Sequence, residues 1–195
     1  MEKKSAKKRG FILSKAKQVF IQKGFAAVTM KDIIEECGIS RGGLYLYFQS
    51  VDEIFMQVIN LHNEQKLKEA KSYMSEATSF QQLIDGYFEK QKTRLLNINN
   101  SLLIAMYEYR FGHKHDYDQE FFYNQLMRTK DIVLEILRYG VSAGEISNDQ
   151  TEDMAMNIVF TIEGISMLGT AAGISEEWID RQIAFIKKMI FSQRE

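Results

Sequence analysis

The chain contains no proline at all. Proline removes a backbone donor and breaks helix interiors, so its absence leaves long uninterrupted helices open and fits an all-α chain. Cysteine is nearly missing too. Cys37 stands alone, so no intrachain disulfide can form, which suits a reducing cytoplasm. Its place on an apolar helix face reads as that of a small hydrophobe rather than a redox sensor. No apolar run approaches the roughly 20 residues of a membrane span, and the charged start, Met1 to Arg9, leads into no signal-peptide core. A soluble cytoplasmic protein with no membrane partner is expected. Alternating strand patterns, internal repeats and low-complexity tracts are also missing. Histidine is scarce, with only His62, His113 and His115. There is no nucleophile–base pair at a telling spacing and no phosphate-cradling glycine loop, so an all-helical enzyme fits poorly. The loop Gly112-His113-Lys114-His115-Asp116 could hold a metal. A lysine parts its histidines, however, and no second cluster accompanies it, so a solvated loop with no metal or other cofactor is expected.

What is present is unevenly spread. Residues 1–50 hold ten Lys or Arg against four Asp or Glu, whereas the rest holds fifteen against twenty-two. A basic end on an acidic body points to a polyanionic partner at that end alone. Nucleic acid is the first candidate. An anionic membrane surface is the second, and it is disfavoured because no helix there carries a strongly basic amphipathic face.

Apolar residues recur at helical spacing along nearly the whole chain. Ile12, Ala16, Val19 and Phe20 mark a first helix that Gly24 ends, and residues 1–9 before it are expected to form a mobile arm. Thr29 is placed to cap a second helix carrying Met30, Ile33, Ile34 and Cys37, and Gly38 stops it after two turns. Ser40 caps a short third helix with Leu44 and Phe48 inward. Ser50 to Glu53 forms a capping box for a fourth helix, whose inner face is Val51, Ile54, Phe55, Val58 and Leu61 and which runs on through residues 64–71. Further helices are expected over residues 79–96, 101–111, 118–143 and 149–172, with a last one capped by Ser175, for about nine in all.

The second and third helices, joined by Cys37-Gly38-Ile39-Ser40 and braced on both sides, make a helix-turn-helix over residues 29–48. The third helix then projects Arg41, Gly42, Gly43, Tyr45, Leu46 and Tyr47 outward. Arg41 can pair with phosphate or, bidentately, with guanine, and the tyrosine hydroxyls can reach phosphates. Backbone N–H groups around Thr29 and Ser40 offer anion sites. The basic residues Lys3, Lys4, Lys7, Lys8 and Arg9 could add phosphate contacts.

The run TMKDIIEECGISRGGLYLYFQSVDEIF, Thr29 to Phe55, resembles the N-terminal domain of the tetracycline-repressor family. Ile12 to Phe20 with Gly24-Phe25 fits that family's first helix, so the likeness covers about residues 9–60. It implies a helix-turn-helix domain at 9–60 joined by a long fourth helix to a helical ligand-binding and dimerisation domain at 61–195. It implies a homodimeric regulator, commonly a repressor, that grips a near-palindromic double-stranded DNA operator and is released by a small-molecule effector. One departure stands out. Val51 occupies a position where the family commonly has a lysine that touches phosphate, which would shift those contacts to the helix N-terminus and the basic arm.

Under this resemblance, the aromatic and methionine residues beyond residue 75 read as an apolar effector pocket: Phe88, Met106, Tyr107, Tyr109, Phe111, Phe122, Tyr123 and Met127, with Glu163 as an orienting group. Glu108, Arg110 and Asn157 lie among them, with surface exposure the competing reading, and a plain core would show the same pattern. The last two helices are widely apolar, as helices facing both a core and a partner must be. Ile158, Ile162, Ile165, Trp178, Ile179, Ile183, Ile186 and Ile190 are the expected dimer contacts, against purely intramolecular burial. The rival functions are a ligand-independent DNA-binding factor and, further off, the enzyme already weighed.

Overall fold

The computed structural model describes residues 2–113, 116–147 and 149–192, and within these the side chains of all but 2–4 and 116–118. The side chains of Lys3, Lys4 and Asp116, and residues Lys114 and His115, therefore lie outside the described parts. Among the described residues there are nine α-helices and no strand: α1 Glu2–Lys23, α2 Met30–Cys37, α3 Arg41–Tyr45, α4 Val51–Glu76, α5 Phe80–Leu96, α6 Leu103–Gly112, α7 Asp116–Ser142, α8 Thr151–Ala172 and α9 Glu176–Phe191. One 3-10 turn, Ile98–Asn100, precedes α6.

Local chemistry accounts for most of the boundaries. The Thr29, Ser40, Ser79 and Ser175 side chains each accept from a backbone N–H three residues on, opening α2, α3, α5 and α9. Gly38 takes φ +60° and closes α2. The main surprise is at the start. The segment read as a mobile arm is the first part of α1, which begins at Glu2. Lysine, alanine and glutamate are good helix formers. Arg9 also ties the segment down, its Nε and guanidinium NH2 donating to Gln57 Oε1 at 3.0 and 2.7 Å.

The chain divides into two compact units. The first holds the chain up to Lys66 together with the segment from Asn99 that includes α6; the second holds Leu67–Ile98 and the chain from α7 onward. In the first, α1 packs on α2 and α6, and α2 on α3. Its core contains Ile12, Ala16, Phe20, Ile33, Leu44, Phe48, Ile54, Phe55 and Ile59, all fully buried. In the second unit α5 packs on α7, α8 and α9, and α8 lies between α7 and α9.

Helix α8 departs from the expectation that no segment suits a membrane. Over residues 151–172 it is long and apolar enough to cross one by length and composition. Its apolarity has another use: Met154, Ala155, Ile158, Val159, Ile162 and Ile165 are buried in the second unit.

Candidate nucleic-acid interface

The candidate interface is built by α2, α3 and the turns around them. Thr29 anchors α2 with a reciprocal cap. Its hydroxyl accepts from Asp32 N, while Asp32 Oδ2 accepts from the Thr29 N–H at 2.8 Å and from the Thr29 hydroxyl at 2.6 Å. The Lys23 ammonium bonds the other oxygen. Lys23 first, and then Thr29, hold the Asp32 carboxyl far below the usual carboxylate range. The N–H and hydroxyl of Thr29 itself, read as part of an anion site, are thus engaged by the protein's own Asp32.

Gly38 then reverses the chain, donating to Glu35 and Ile34 carbonyls, and Ile39 N donates to Ile34 O at 3.3 Å. Ser40 Oγ accepts from Gly43 N at 3.1 Å and fixes the start of α3. Leu44 and Phe48, both fully buried, pin α3 to the core and set which residues look out. Arg41, Gly42 and Leu46 are exposed, and Gly43, Tyr45 and Tyr47 half-buried. The Arg41 guanidinium lies 5.5 Å from the Tyr45 ring centroid, one turn away on the same face. That cation–π contact favours a position of the cation over the ring.

Helix α4 opens with Ser50 Oγ accepting from Glu53 N at 3.1 Å, while Glu53 Oε2 accepts from Gln49 N at 2.8 Å. The expected box thus reaches one residue further back than Ser50. Among the basic residues of α1, Lys7 is exposed, whereas Lys8 sits 5.0 Å from the Phe11 ring. Arg9 is committed to Gln57 and lies 5.3 Å from the Phe48 ring, so a phosphate would have to compete for it.

Helix α6 belongs to this unit, and its last turns brace the turn after α1 and the start of α4, which the sequence had not suggested. Glu108 Oε2 accepts from Phe25 N at 2.6 Å and Ala26 N at 2.9 Å. This is possible because Gly24, at φ +74°, has no side chain: a Cβ there would meet the carboxylate at 2.5 Å. Beneath the clamp, Phe20, Phe25, Phe55 and Tyr109 pack with ring centroids 4.8–5.1 Å apart along the chain Phe20–Phe55–Tyr109–Phe25. His113 stacks on Tyr109 at 3.9 Å. Its Nδ1 lies 3.0 Å from Tyr109 O and its Nε2 2.7 Å from Asp52 Oδ1 at the start of α4. Both partners are acceptors, so both contacts are hydrogen bonds only when the ring carries two protons. His113 is thus a structural tie in this arrangement, and among the described residues no group of potential metal ligands gathers.

The residues read as an effector pocket are divided. Met106, Tyr107, Tyr109 and Phe111 lie on α6 in the first unit; Phe88, Phe122, Tyr123, Met127 and Glu163 lie in the second. Tyr109 is spoken for by the aromatic cluster, and Phe111 and Tyr123 are exposed. Glu108 is the clamp just described, and Arg110 and Asn157 are exposed. An open groove between α1 and α4, lined by Ala6, Gly10, Leu13 and Leu61 among others, borders none of these candidates.

In the second unit a polar cluster appears that periodicity did not flag. Arg94 donates to Gln91 Oε1 at 3.1 Å and to the buried Ser166 hydroxyl at 3.2 Å, with Glu163 at 4.0 Å. Tyr87 sits nearby, and burial pushes its phenol above the usual range. The signal was available, since Tyr87, Gln91 and Arg94 follow i, i+4, i+7 on one face of α5.

The expected dimer contacts need correcting. Ile158, Ile162, Ile165, Ile179, Ile183, Ile186 and Ile190 are all buried within their own unit, so they form core rather than surface. Trp178 alone of that set is exposed, at 53%. The outward apolar residues of α8 and α9 are instead Phe160, Met167, Leu168, Trp178 and Phe185.

Comparison with known proteins fits this geometry. Residues 12–58 match the model of bacterial regulatory proteins of the tetR family, and residues 83–180 match the tetracyclin repressor-like C-terminal domain. The uncharacterized HTH-type transcriptional regulator YfiR of Bacillus subtilis is 37% identical over 103 residues, covering 53% of this chain and 50% of that protein. A second, YuxN of the same organism, is 25% identical over 179 residues, covering 83% of this chain and 53% of that protein. The chain spans about half the length of these curated relatives. Among solved structures, a TetR transcription regulator from Haloarcula marismortui superposes with a TM-score of 0.83 at 13% identity, covering 96% of this chain and 98% of that one. NemR of E. coli, in its reduced form, gives 0.79 at 14% identity, covering 95% and 98%. With family models matching both its helix-turn-helix and most of its second unit, the chain belongs to the tetR family of bacterial regulatory proteins.

Proposed function

We infer that this protein is a sequence-specific DNA-binding regulator of transcription, a repressor whose operator affinity is set by a small effector. The observation that carries the reading is α3: a short helix fixed by Ser40, Leu44 and Phe48 that turns Arg41, Gly42, Tyr45, Leu46 and Tyr47 outward. Such an element fits the major groove, where side chains meet base edges and the surrounding N–H and cationic groups meet phosphates. The basic bias of residues 1–50 supports the same partner. It is a cytoplasmic protein acting as a homodimer. In support, Phe160, Met167 and Leu168 on α8 and Trp178 and Phe185 on α9 form outward apolar surface of the kind that partners cover. Two heads would read half-sites about one helical turn apart, or a small multiple of it. The effector site is sought in the second unit, at the part-buried cluster where Arg94, Glu163 and Ser166 gather beside Tyr87. Ligand would act by favouring one arrangement of the heads over the other.

Selection from a random duplex library with the full chain tests this reading. The expected result is enrichment of a near-palindrome. A selected pool indistinguishable from the input would overturn the reading.

A further inference from the structure

We propose that Leu46 reads the 5-methyl group of a thymine in each operator half-site, and that it is this head's main apolar specificity determinant. The proposal rests on the DNA-binding reading above and assigns chemistry within it.

Leu46 is 82% exposed, more than any other of the large hydrophobic side chains exposed on the described surface. It is also held firmly. Its backbone is helical, at φ −66° and ψ −20°, and its N–H donates to Gly42 O at 3.2 Å, so it continues the α3 face by one position. Neighbours on both sides, Leu44 and Phe48, are fully buried, so the outward direction of Leu46 is imposed by the core. An apolar side chain on a fixed backbone, standing in water beside Arg41 and Tyr45, gains nothing from the fold itself.

The two glycines sharpen the point. Gly43 has an internal reason, since a Cβ there would come within 3.1 Å of the Ser40 hydroxyl that caps α3. Gly42 has none: a Cβ there would meet nothing within 4 Å, and its backbone is ordinary helix. Glycine in a helix costs stability relative to alanine. Gly42 and Leu46 are four residues apart and so share one face of α3. A bare backbone next to an outward leucine makes a low apolar surface suited to close approach by something outside the molecule.

The major-groove edges of the bases offer one apolar handle, the C5-methyl of thymine; the rest are hydrogen-bond donors and acceptors. Leucine can pair with none of those and would desolvate them at a cost. Arg41, stacked on Tyr45, and the Tyr45 and Tyr47 hydroxyls remain for polar contacts. A leucine there therefore favours thymine by contact and disfavours other edges by unpaired desolvation.

The test begins with the duplex selected on synthetic DNA free of methylated cytosine, which leaves thymine as the source of the methyl. Each thymine is then replaced in turn by deoxyuridine, which removes the methyl and nothing else. Affinities are measured at fixed salt for the wild type and for Leu46→Ala. Burial of one methyl group predicts a loss of about fourfold for wild type at one thymine position per half-site, and about fifteenfold with both half-sites substituted. Leu46→Ala should bind the thymine duplex more weakly and show no penalty for deoxyuridine there. The assignment is overturned if wild type tolerates deoxyuridine everywhere, or if Leu46→Ala retains the same penalty at the same position. If no duplex is enriched at all, the DNA-binding reading falls and this one with it.

Discussion

The clamp between Glu108 and the turn after α1 gives a prediction that depends on atomic geometry. One carboxylate oxygen accepts from both Phe25 N and Ala26 N, at 2.6 and 2.9 Å. Hydrogen bonds to a charged acceptor are worth about 1.5–3 kcal/mol each when sheltered. Glu108 is exposed, so water replaces much of what is lost, and about 1–2 kcal/mol for both bonds is the reasonable scale for Glu108→Ala. For a chain of this size that lowers Tm by about 2–8 °C. Glu108→Gln keeps an oxygen that can accept both bonds and should lose less than half as much. Gly24→Ala is more damaging. It forces alanine to φ +74° at about 1–2 kcal/mol and drives a Cβ into the carboxylate, breaking both bonds as well. In the Glu108→Ala background the collision is gone and only the backbone strain remains. Urea unfolding of wild type, both single variants and the double variant should therefore show strong coupling, with the double variant well above the additive expectation. Additivity within about 0.5 kcal/mol would refute the clamp.

Two further predictions follow from the same structure. Asp32 is held below the ordinary carboxylate range by Lys23 and Thr29, so its contribution to folding is complete above about pH 4 and is lost as pH falls toward its native titration. Acid unfolding of Asp32→Asn should be shallower than that of wild type across that window; identical acid limbs would show that the cap is not formed. Replacing Phe160 and Phe185 together by glutamate should shift the protein to monomer in sedimentation experiments with helical content unchanged, because both side chains are exposed at 60% and 66%. An unchanged dimer would place the interface elsewhere.

What the sequence made legible was local. Thr29, Gly38 and Ser40 mark α2 and α3 because capping acts over three or four residues, and the outward residues of α3 follow from Leu44 and Phe48 facing in. Pairings across long separations were hidden. Glu108 meets Phe25 across 83 positions and His113 meets Asp52 across 61, and no periodicity announces either. Phase was the other gap. The isoleucines of α8 and α9 announced an apolar stripe, but a stripe does not say whether its own unit or a partner covers it, and here its own unit does. Residues 2–9 show a related limit. Charge suggested solvation, while helix propensity and the Arg9–Gln57 bond kept the segment in α1.

If α3 reads DNA, sequence preference and affinity must both depend on it. The most direct measurement is a fixed-salt anisotropy titration of the selected duplex and a scrambled one with wild type and Arg41→Ala. Wild type should prefer the selected duplex by about 10³-fold or more. Arg41→Ala should lose about 10-fold or more on the selected duplex while remaining folded. Equal binding of both duplexes by wild type, or an Arg41→Ala curve that overlays that of wild type, would contradict the claim.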